Sequence, residues 1–446
     1  MNIFKKFLKK KETIVTRFAP SPTGFLTLGN YRTALFSYLF AKQQNGTFIL
    51  RIEDTDKERS EKQYEEDIYK SFEWLGISFD EKYVQSERVG KHKEYLQKLL
   101  DSGHAYVSKE EEGGRSEVIR FKNPNKKVTF TDLIRGDITF DTSDLKDFVI
   151  AKSIDEPLFH LAVVADDADM GITHVIRGED HISNTPRQIL IQEALGFSTP
   201  TYAHLPLMLA PDRTKLSKRN GAISIREVKE EGYLPEAVVN FLALLGWNPG
   251  TDKEIYSMDE LLSDFDITRI QKGSAVFNKE KLNWVNKEHL RKLSPDQKIA
   301  LVKRYTQIDT DRLQRALETI FERIETISEL EQAFNEGDFS YLEADIQYDR
   351  DILLWKKEPS KEITANRLEM VLPLVESFSD FPTSQEAKDA IWNLAEKEGR
   401  GEILWPLRVA LSGKDKSPDP FDLIEILGKD VSLHRIQKAI VLLRNE

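Results

Sequence analysis

The sequence predicts an α/β fold: a doubly wound parallel, Rossmann-like nucleotide-binding domain carrying an α+β insertion, followed by a mostly α-helical C-terminal half. Three observations lead there. The chain opens β-α-β-α, with apolar strands feeding helices through glycine and proline turns. A middle stretch of short strand-like runs interrupts this alternation, which then resumes. After Gly246 and Trp247, helical periodicity dominates to the end.

Each element has a local reason. Residues 1–12 carry Lys5, Lys6, Lys9, Lys10 and Lys11 around Phe4, Phe7 and Leu8, and read as a basic solubilising tail or a small amphipathic turn. From Ile14 the pattern is a strand through VTRFAP, with turns at Pro20, Pro22 and Gly24. A helix follows, with Tyr31, Leu35, Tyr38 and Leu39 on one face, closed by Asn45-Gly46. TFILRIE is a second strand, and Tyr64, Ile68 and Leu75 mark the next helix. Between about 95 and 155 a Gly/Glu-rich stretch and the runs VIRF, VTF, DITF and DFVIA predict the inserted unit. ITHVIRGED is again an apolar strand, and Thr185-Pro186-Arg187-Gln188 reads as a capping box with proline at the first helical position. A polar break near Lys356–Lys361 marks a boundary in the helical half.

Composition excludes several classes. A chain of 446 residues with 40% hydrophobic and 31% charged content is a soluble globular protein of about three domains. The longest apolar runs are too short to span a bilayer and the opening is too short for a secretory signal, so a cytoplasmic protein without membrane contact is expected. Zero cysteines exclude disulfides, thiol nucleophiles and sulfur-ligated zinc; the eight histidines show no metal-binding spacing, so no metal site is expected in the protein. A net charge of −11 weighs against indiscriminate nucleic-acid coating while leaving room for a local basic groove.

Four segments carry chemistry. Arg17-Phe-Ala19-Pro-Ser21-Pro-Thr23-Gly24, running to Leu28-Gly29-Asn30, is a strand, a glycine turn and a helix N-terminus, which presents a dipolar seat to an anion. It is no Walker loop, and a tight connection built for geometry alone is an equal reading. Arg51-Ile52-Glu53-Asp54-Thr55-Asp56 closes the second strand. Glu53 is placed to meet an ammonium or a ribose hydroxyl, whereas Asp54, Thr55 and Asp56 read as caps of the next helix. Arg177-Gly178-Glu179-Asp180 closes a third strand; Arg177 either grips an acidic ligand through its planar fork or pairs internally with Glu179 or Asp180. Lys215-Leu216-Ser217-Lys218-Arg219 is a cationic loop suited to a triphosphate, or else a solvated face.

In order and spacing these segments resemble the signature set of class I glutamyl-tRNA synthetases. PSPTGFLTLGN resembles the family's His-Ile-Gly-His region and KLSKR its lysine-serine loop. RIEDTD, MGITHVIRGEDHISNTPRQIL and AHLPLML lie between them, and GYLPEAVVNFLALLGW and ILWPLRVALSG extend the match over residues 13–446. The resemblance implies a glutamate pocket lined by Arg17, Ala19, Ser21, Glu53, Phe159 and Arg177, with Arg177 on the side-chain carboxylate. It sets Thr27, Gly29, Asn30, Asp180 and Leu216 along ATP, and Lys215, Ser217 and Lys218 on its phosphates, with Lys218, Lys215, Ser217 and Thr27 at catalytic positions. The implied reaction joins L-glutamate to the 3′ end of tRNA(Glu) through a glutamyl-adenylate, with ATP and its Mg²⁺, in a monomer.

The organisation this implies is a tail (1–12), the two halves of the catalytic domain (13–94 and 158–210) split by a connective insertion (95–157), a lysine-loop and stem-contact region (211–297), and two helical anticodon-binding units (298–355 and 356–446). Arg408, Lys414 and Lys416 are candidates for tRNA phosphate. The chain departs from the family's pattern at Thr27, where the first signature histidine usually stands, at Phe159, commonly tyrosine, and at Asn220, frequently histidine. The stretch 105–118 is short and lacks zinc-holding cysteines, so no zinc is expected. Two other functions stay open: glutamylation of a modified tRNA nucleoside by a shortened relative, and a catalytically silent tRNA-binding paralogue.

Overall fold

Gly46 shows how tightly the opening strands are laid. A Cβ there would stand 2.3 Å from the Ile14 carbonyl oxygen, so only glycine lets the chain, arriving from a helix, enter the second strand so close beside the start of the first. The structure, a computed structural model, describes residues 13–109, 117–214, 216, 223–356 and 360–445. The basic tail and Lys215, Ser217, Lys218, Arg219 and Asn220 of the lysine loop lie outside the described residues. The chain divides into two units, Met1–Val285 and Asn286–Glu446.

The first unit begins with Val15–Phe18 (β1), Leu28–Gln43 (α1), Thr47–Ile52 (β2), Lys62–Trp74 (α2) and Glu81–Val84 (β3). Val89–Asp101 (α3) leads into Ala105–Lys109 (β4), Glu117–Phe121 (β5), Lys127–Asp132 (β6), Gly136–Asp141 (β7), Phe148–Ser153 (β8) and Glu156–Pro157 (β9). The winding resumes with Phe159–Asp169 (α4), His174–Gly178 (β10), Thr185–Leu195 (α5), Thr201–Leu205 (β11) and Met208–Leu209 (β12). Ile225–Glu230 (α6), Pro235–Leu244 (α7), Met258–Asp264 (α8), Ala275–Val276 (β13) and Lys279–Lys292 (α9) follow.

The main sheet has seven strands in the order β3-β2-β1-β10-β11-β6-β7, parallel except for the β6–β7 hairpin. A second, antiparallel sheet runs β4-β5-β8-β9. The strands of segment 95–157 are thus shared: β6 and β7 extend the main sheet while the others form their own. One hydrophobic core packs α1, α7 and α8 on one face of the main sheet, around Leu35, Phe36, Trp247 and Phe265; another packs α3, α4 and α5 on the opposite face, around Leu96, Leu161 and Leu190. Helices on both faces make this the doubly wound architecture the alternation implies. The single stripe read for α1 is incomplete: Tyr31, Leu35, Tyr38 and Leu39 are buried, and so are Ala34, Phe36, Ser37 and Ala41, because α7 and α8 cover the side away from the sheet.

Strand order departs from chain order between β1 and β10, and a crevice opens at the carboxyl ends of strands at such a switch point. Two expected helix starts lie elsewhere. The second helix begins at Lys62, so Asp54, Thr55 and Asp56 do not cap it: Asp54 accepts from the Ser86 N–H (2.8 Å) and hydroxyl (2.6 Å), Thr55 donates to Gln85 (3.3 Å), and Asp56 pairs with Arg59. Thr185 is the first residue of α5 rather than its cap, and its hydroxyl serves Arg177 instead.

The second unit is helical in its described residues: Pro295–Val302 (α10), Thr310–Phe321 (α11), Ile327–Asn335 (α12), Lys361–Glu376 (α13), Ser384–Glu398 (α14), Arg400–Ser412 (α15), Pro420–Leu427 (α16) and Lys429–Arg444 (α17). Ser294, Asp309, Thr326, Ser360 and Thr383 each cap a helix by accepting a backbone N–H, which fixes where these helices start. Lys361 opens α13, and residues 357–359 of the polar break lie outside the described residues. Among described residues no helix is long and apolar enough to cross a membrane.

Candidate active site

A cleft of ≈ 550 Å³ lies at the switch point. It is lined from β1 and its turn by Arg17, Ala19, Ser21, Thr27, Gly29 and Asn30, from β2 by Glu53, from α4 by Phe159, and from β10 onward by Arg177 and Asp180; Leu216 reaches it from the lysine segment. Every glutamate- or ATP-site candidate that the structure describes therefore borders one cavity, large enough for an amino acid beside a nucleotide.

One wall is an ion-pair lattice. Arg17, at the end of β1, donates from Nε and Nη2 to the two carboxylate oxygens of Asp167 (3.3 and 3.4 Å), and Arg51, fully buried, donates from Nη1 to Asp167 Oδ1 (2.7 Å). Burial raises the Asp167 pKa, but Arg17 and Arg51 outweigh it and hold the carboxyl below its ordinary value. Arg51 also donates to Glu53 Oε1 from Nη2 (2.9 Å), and the Glu53 N–H reaches the Pro20 carbonyl (2.9 Å), tying β2 to the β1 turn. Burial still pushes the Glu53 pKa up against the pull of Arg51. A cation entering the cleft next to Glu53 would relieve that cost.

The opposite wall is built differently. Arg177, only 7% exposed, donates from Nε to His204 Nε2 (3.2 Å), from Nη1 to Gln188 Oε1 (2.8 Å) and from Nη2 to Thr185 Oγ1 (2.8 Å). All three acceptors are uncharged. Glu179, offered as an internal partner, pairs with Arg135 instead and also accepts from the Leu207 N–H (2.7 Å). Desolvation lowers the Arg177 pKa to about 10: no carboxylate bonds to it, and the fields of Tyr202, Asp167 and Glu53 do not offset the burial. Of five guanidinium N–H groups, one on each terminal nitrogen remains for a ligand.

Phe159, 37% exposed, opens α4 and stands against His160 and His181, while Val163, one turn on, is buried at the same wall. Phe159 and Val163 make an apolar patch on this wall, and the Phe159 ring carries no hydroxyl. Thr27 caps α1: its N–H and hydroxyl each reach Asn30 Oδ1 at 3.0 Å. The Leu28 N–H is taken by the Ile223 carbonyl (3.1 Å), so this donor of the seat is already used. The Leu216 N–H is bound to the Met208 carbonyl (3.0 Å), so both flanks of 217–222 are fixed, Leu216 at the cleft and Ile223 at the start of α1.

Sequence reasoning missed Asp167, Arg51, Arg32, His204 and Asp132. Asp166-Asp167 within the apolar helix FHLAVVADDAD was the available signal, because acids on an apolar helix need buried partners. Arg32 was screened by the helical stripe; it is 3% exposed, borders the cleft and donates to the Pro206 and Leu245 carbonyls. In the second unit Arg408 donates to the Asp415 carbonyl (2.7 Å) and Lys414 to the Gly337 carbonyl, so both hold backbone, while Lys416 is exposed.

Against known proteins, the family model "tRNA synthetases class I (E and Q), catalytic domain" matches residues 13–113 and 107–284, and "Anticodon binding domain" matches 288–440. The chain belongs to the class I tRNA synthetases of the E and Q group. Its similarity to members of this family runs nearly end to end. A glutamate–tRNA ligase from Aquifex aeolicus is 42% identical, over 96% of this chain and 98% of that one. One from Hydrogenobaculum is 48% identical over 67% of this chain and 74% of its own. The crystal structure of a glutamate tRNA ligase from Elizabethkingia meningosepticum, in complex with its amino acid, superposes with a TM-score of 0.84 at 32% identity, covering 97% of this chain and all of that one. A class I synthetase catalytic domain uses ATP, and the cleft at the switch point is where this fold receives ligands.

Proposed function

We propose that this chain is a glutamate–tRNA ligase that makes glutamyl-tRNA(Glu) in two steps within the cleft. The observation that carries the reading is Arg177: a buried guanidinium with only neutral partners and two N–H groups to spare fits a carboxylate side chain. Glu53 receives the substrate ammonium, and Arg17, Ala19 and Ser21 line the same pocket. The glutamate α-carboxylate attacks the α-phosphorus of ATP in line, the bond to the bridging oxygen breaks, and pyrophosphate departs. The ribose 2′-hydroxyl of the terminal tRNA adenosine then attacks the carbonyl carbon of the mixed anhydride, the bond from that carbon to the phosphate oxygen breaks, and AMP leaves with its electron pair and takes up the hydroxyl proton. The nucleophile of the first step is already an anion, so positioning and charge stabilisation supply the rate.

Thr27, Gly29, Asn30, Asp180 and Leu216 are assigned to the nucleotide. Lys215, Ser217 and Lys218 are assigned to its phosphates, an assignment supported by the anchoring of Leu216 at the cleft and Ile223 at the start of α1. Among described residues no group of three or more His, Cys, Asp or Glu side chains converges to hold a metal ion. Mg²⁺ is assigned to the triphosphate that it accompanies. Residues 95–157 are assigned as a connective insertion in the catalytic domain, 211–297 to the lysine loop and the tRNA stem, and 298–355 and 356–446 to its anticodon; a cytoplasmic monomer is the working form. ATP–pyrophosphate exchange tests the reading. It is expected with glutamate, Mg²⁺ and tRNA(Glu), and absent without tRNA; silence with every tRNA would establish the inactive paralogue instead. Charging of tRNA(Glu) and tRNA(Gln) side by side sets the range of acceptors.

A further inference from the structure

We infer that Asp132 and His204 are positioning residues for Arg177, fixing its guanidinium and leaving its positive charge free for the glutamate side chain. This rests on the assignment of Arg177 to that carboxylate. The sheet itself lays out the row. On the adjacent parallel strands β10, β11 and β6, Arg177 is the register partner of His204, and Asp132 that of Tyr202, two residues before His204. His204 is fully buried and stacks at 10° on the Tyr202 ring, above which the Arg177 guanidinium also lies.

The proton positions follow from chemistry. Arginine Nε always carries hydrogen, so His204 Nε2 must be the acceptor of the 3.2 Å bond, and the ring proton sits on Nδ1, 2.7 Å from Asp132 Oδ2. The same oxygen accepts the His204 backbone N–H (2.9 Å), and Oδ1 accepts those of Ile134 and Arg135 (2.9 Å each). Asp132 thus has no freedom to swing toward Arg177. Burial would raise its pKa, yet the bonds from His204 and the backbone hold it below its ordinary value, so it stays a carboxylate. A carboxylate placed directly on Arg177 would compete with the substrate. One imidazole away, it makes Nε2 a stronger acceptor and fixes the tautomer without neutralising the guanidinium.

Two side chains separate this from ordinary packing. In His204→Gln the amide oxygen can take the place of Nε2 and keep the bond to Arg177; in His204→Asn the amide reaches only the Nδ1 position, keeping Asp132 and losing Arg177. Asp132→Asn presents an amide to Nδ1 and favours the opposite tautomer, whose Nε2–H faces the Arg177 N–H. In ATP–pyrophosphate exchange by the full chain with tRNA, Asp132→Asn and His204→Asn are expected to raise the glutamate KM about tenfold. The ATP KM should stay within about twofold, and His204→Gln within about threefold of the parent for glutamate. Equal glutamate KM values for the Asn and Gln variants of His204 would overturn the inference, and this pair decides even where Asp132→Asn folds poorly. Arg177→Ala separates the two levels. An unchanged glutamate KM in that variant removes the pocket assignment itself, whereas a large rise there with none in His204→Asn removes only the positioning role.

Discussion

The two walls of the cleft use the same residue type for opposite ends. On one side Arg17 and Arg51 are locked to Asp167 and Glu53, their charges cancelled inside the protein. On the other, Arg177 is equally buried, yet every partner it has is neutral. A buried, cancelled arginine fixes geometry; a buried, uncancelled one stores binding free energy that a ligand carboxylate releases. Identity and burial do not distinguish scaffold from receptor at this site. The charge of the partner does.

The largest expected effect breaks the paired wall. Asp167→Ala leaves Arg17 buried without its ion-pair partner and Arg51 with only Glu53 and Asp166, and should cost ~3–5 kcal/mol of stability. Thermal and denaturant unfolding measure it, and a loss under ~1 kcal/mol would show that the lattice is not a scaffold. Arg177→Ala is the mirror case. It removes an uncompensated charge, so stability should stay within ~1 kcal/mol of the parent while kcat/KM for glutamate falls ~10²–10³-fold. A variant that instead unfolds would place Arg177 among the scaffold residues.

A smaller effect is read by pH. Burial, then the charges of Arg187 and Arg177, hold His160 at about 4; burial, then Arg177, hold His181 at about 4. Both lie below the free value of 6.5, so as pH falls from 6.5 toward 4 the unfolded chain takes up protons that the native state refuses, and stability declines. Arg177→Ala should shrink the stability difference between pH 7 and pH 5, because one source of the depression is gone. Denaturation midpoints that move equally with pH in both proteins would separate these histidines from Arg177. The smallest effect adds to the receptor wall: Phe159→Tyr places a hydroxyl on the apolar patch, and should lower the glutamate KM about fivefold, equivalent to ~1 kcal/mol. An unchanged KM would place the ring away from the substrate.

Local signals in the chain sufficed for the alternation of strands and helices, for the helical second half, and for singling out Glu53 and Arg177 as candidates; Arg17 came from the family resemblance. A polar residue that ends an apolar strand at a glycine or proline turn must lie at the strand's carboxyl edge, where this architecture receives ligands. The errors came where a local rule had a competitor. Asp54 and Thr185 carry the right chemistry for caps, but Ser86 and Arg177, distant or buried, offered their oxygens stronger bonds.

By itself, then, the sequence determined which residues end strands and which faces of the helices seek a core, because these depend on period and turn chemistry over a few neighbouring residues. Only the tertiary structure decided that Asp167 would cancel Arg17 and Arg51, and that Asp132 would stop one imidazole short of Arg177. Those pairings depend on strand order, which sets β6 and β10 on either side of β11 and brings residues far apart in the chain to hydrogen-bonding distance. Charge compensation falls off within a few ångströms, so whether an arginine became frame or receptor was settled by packing.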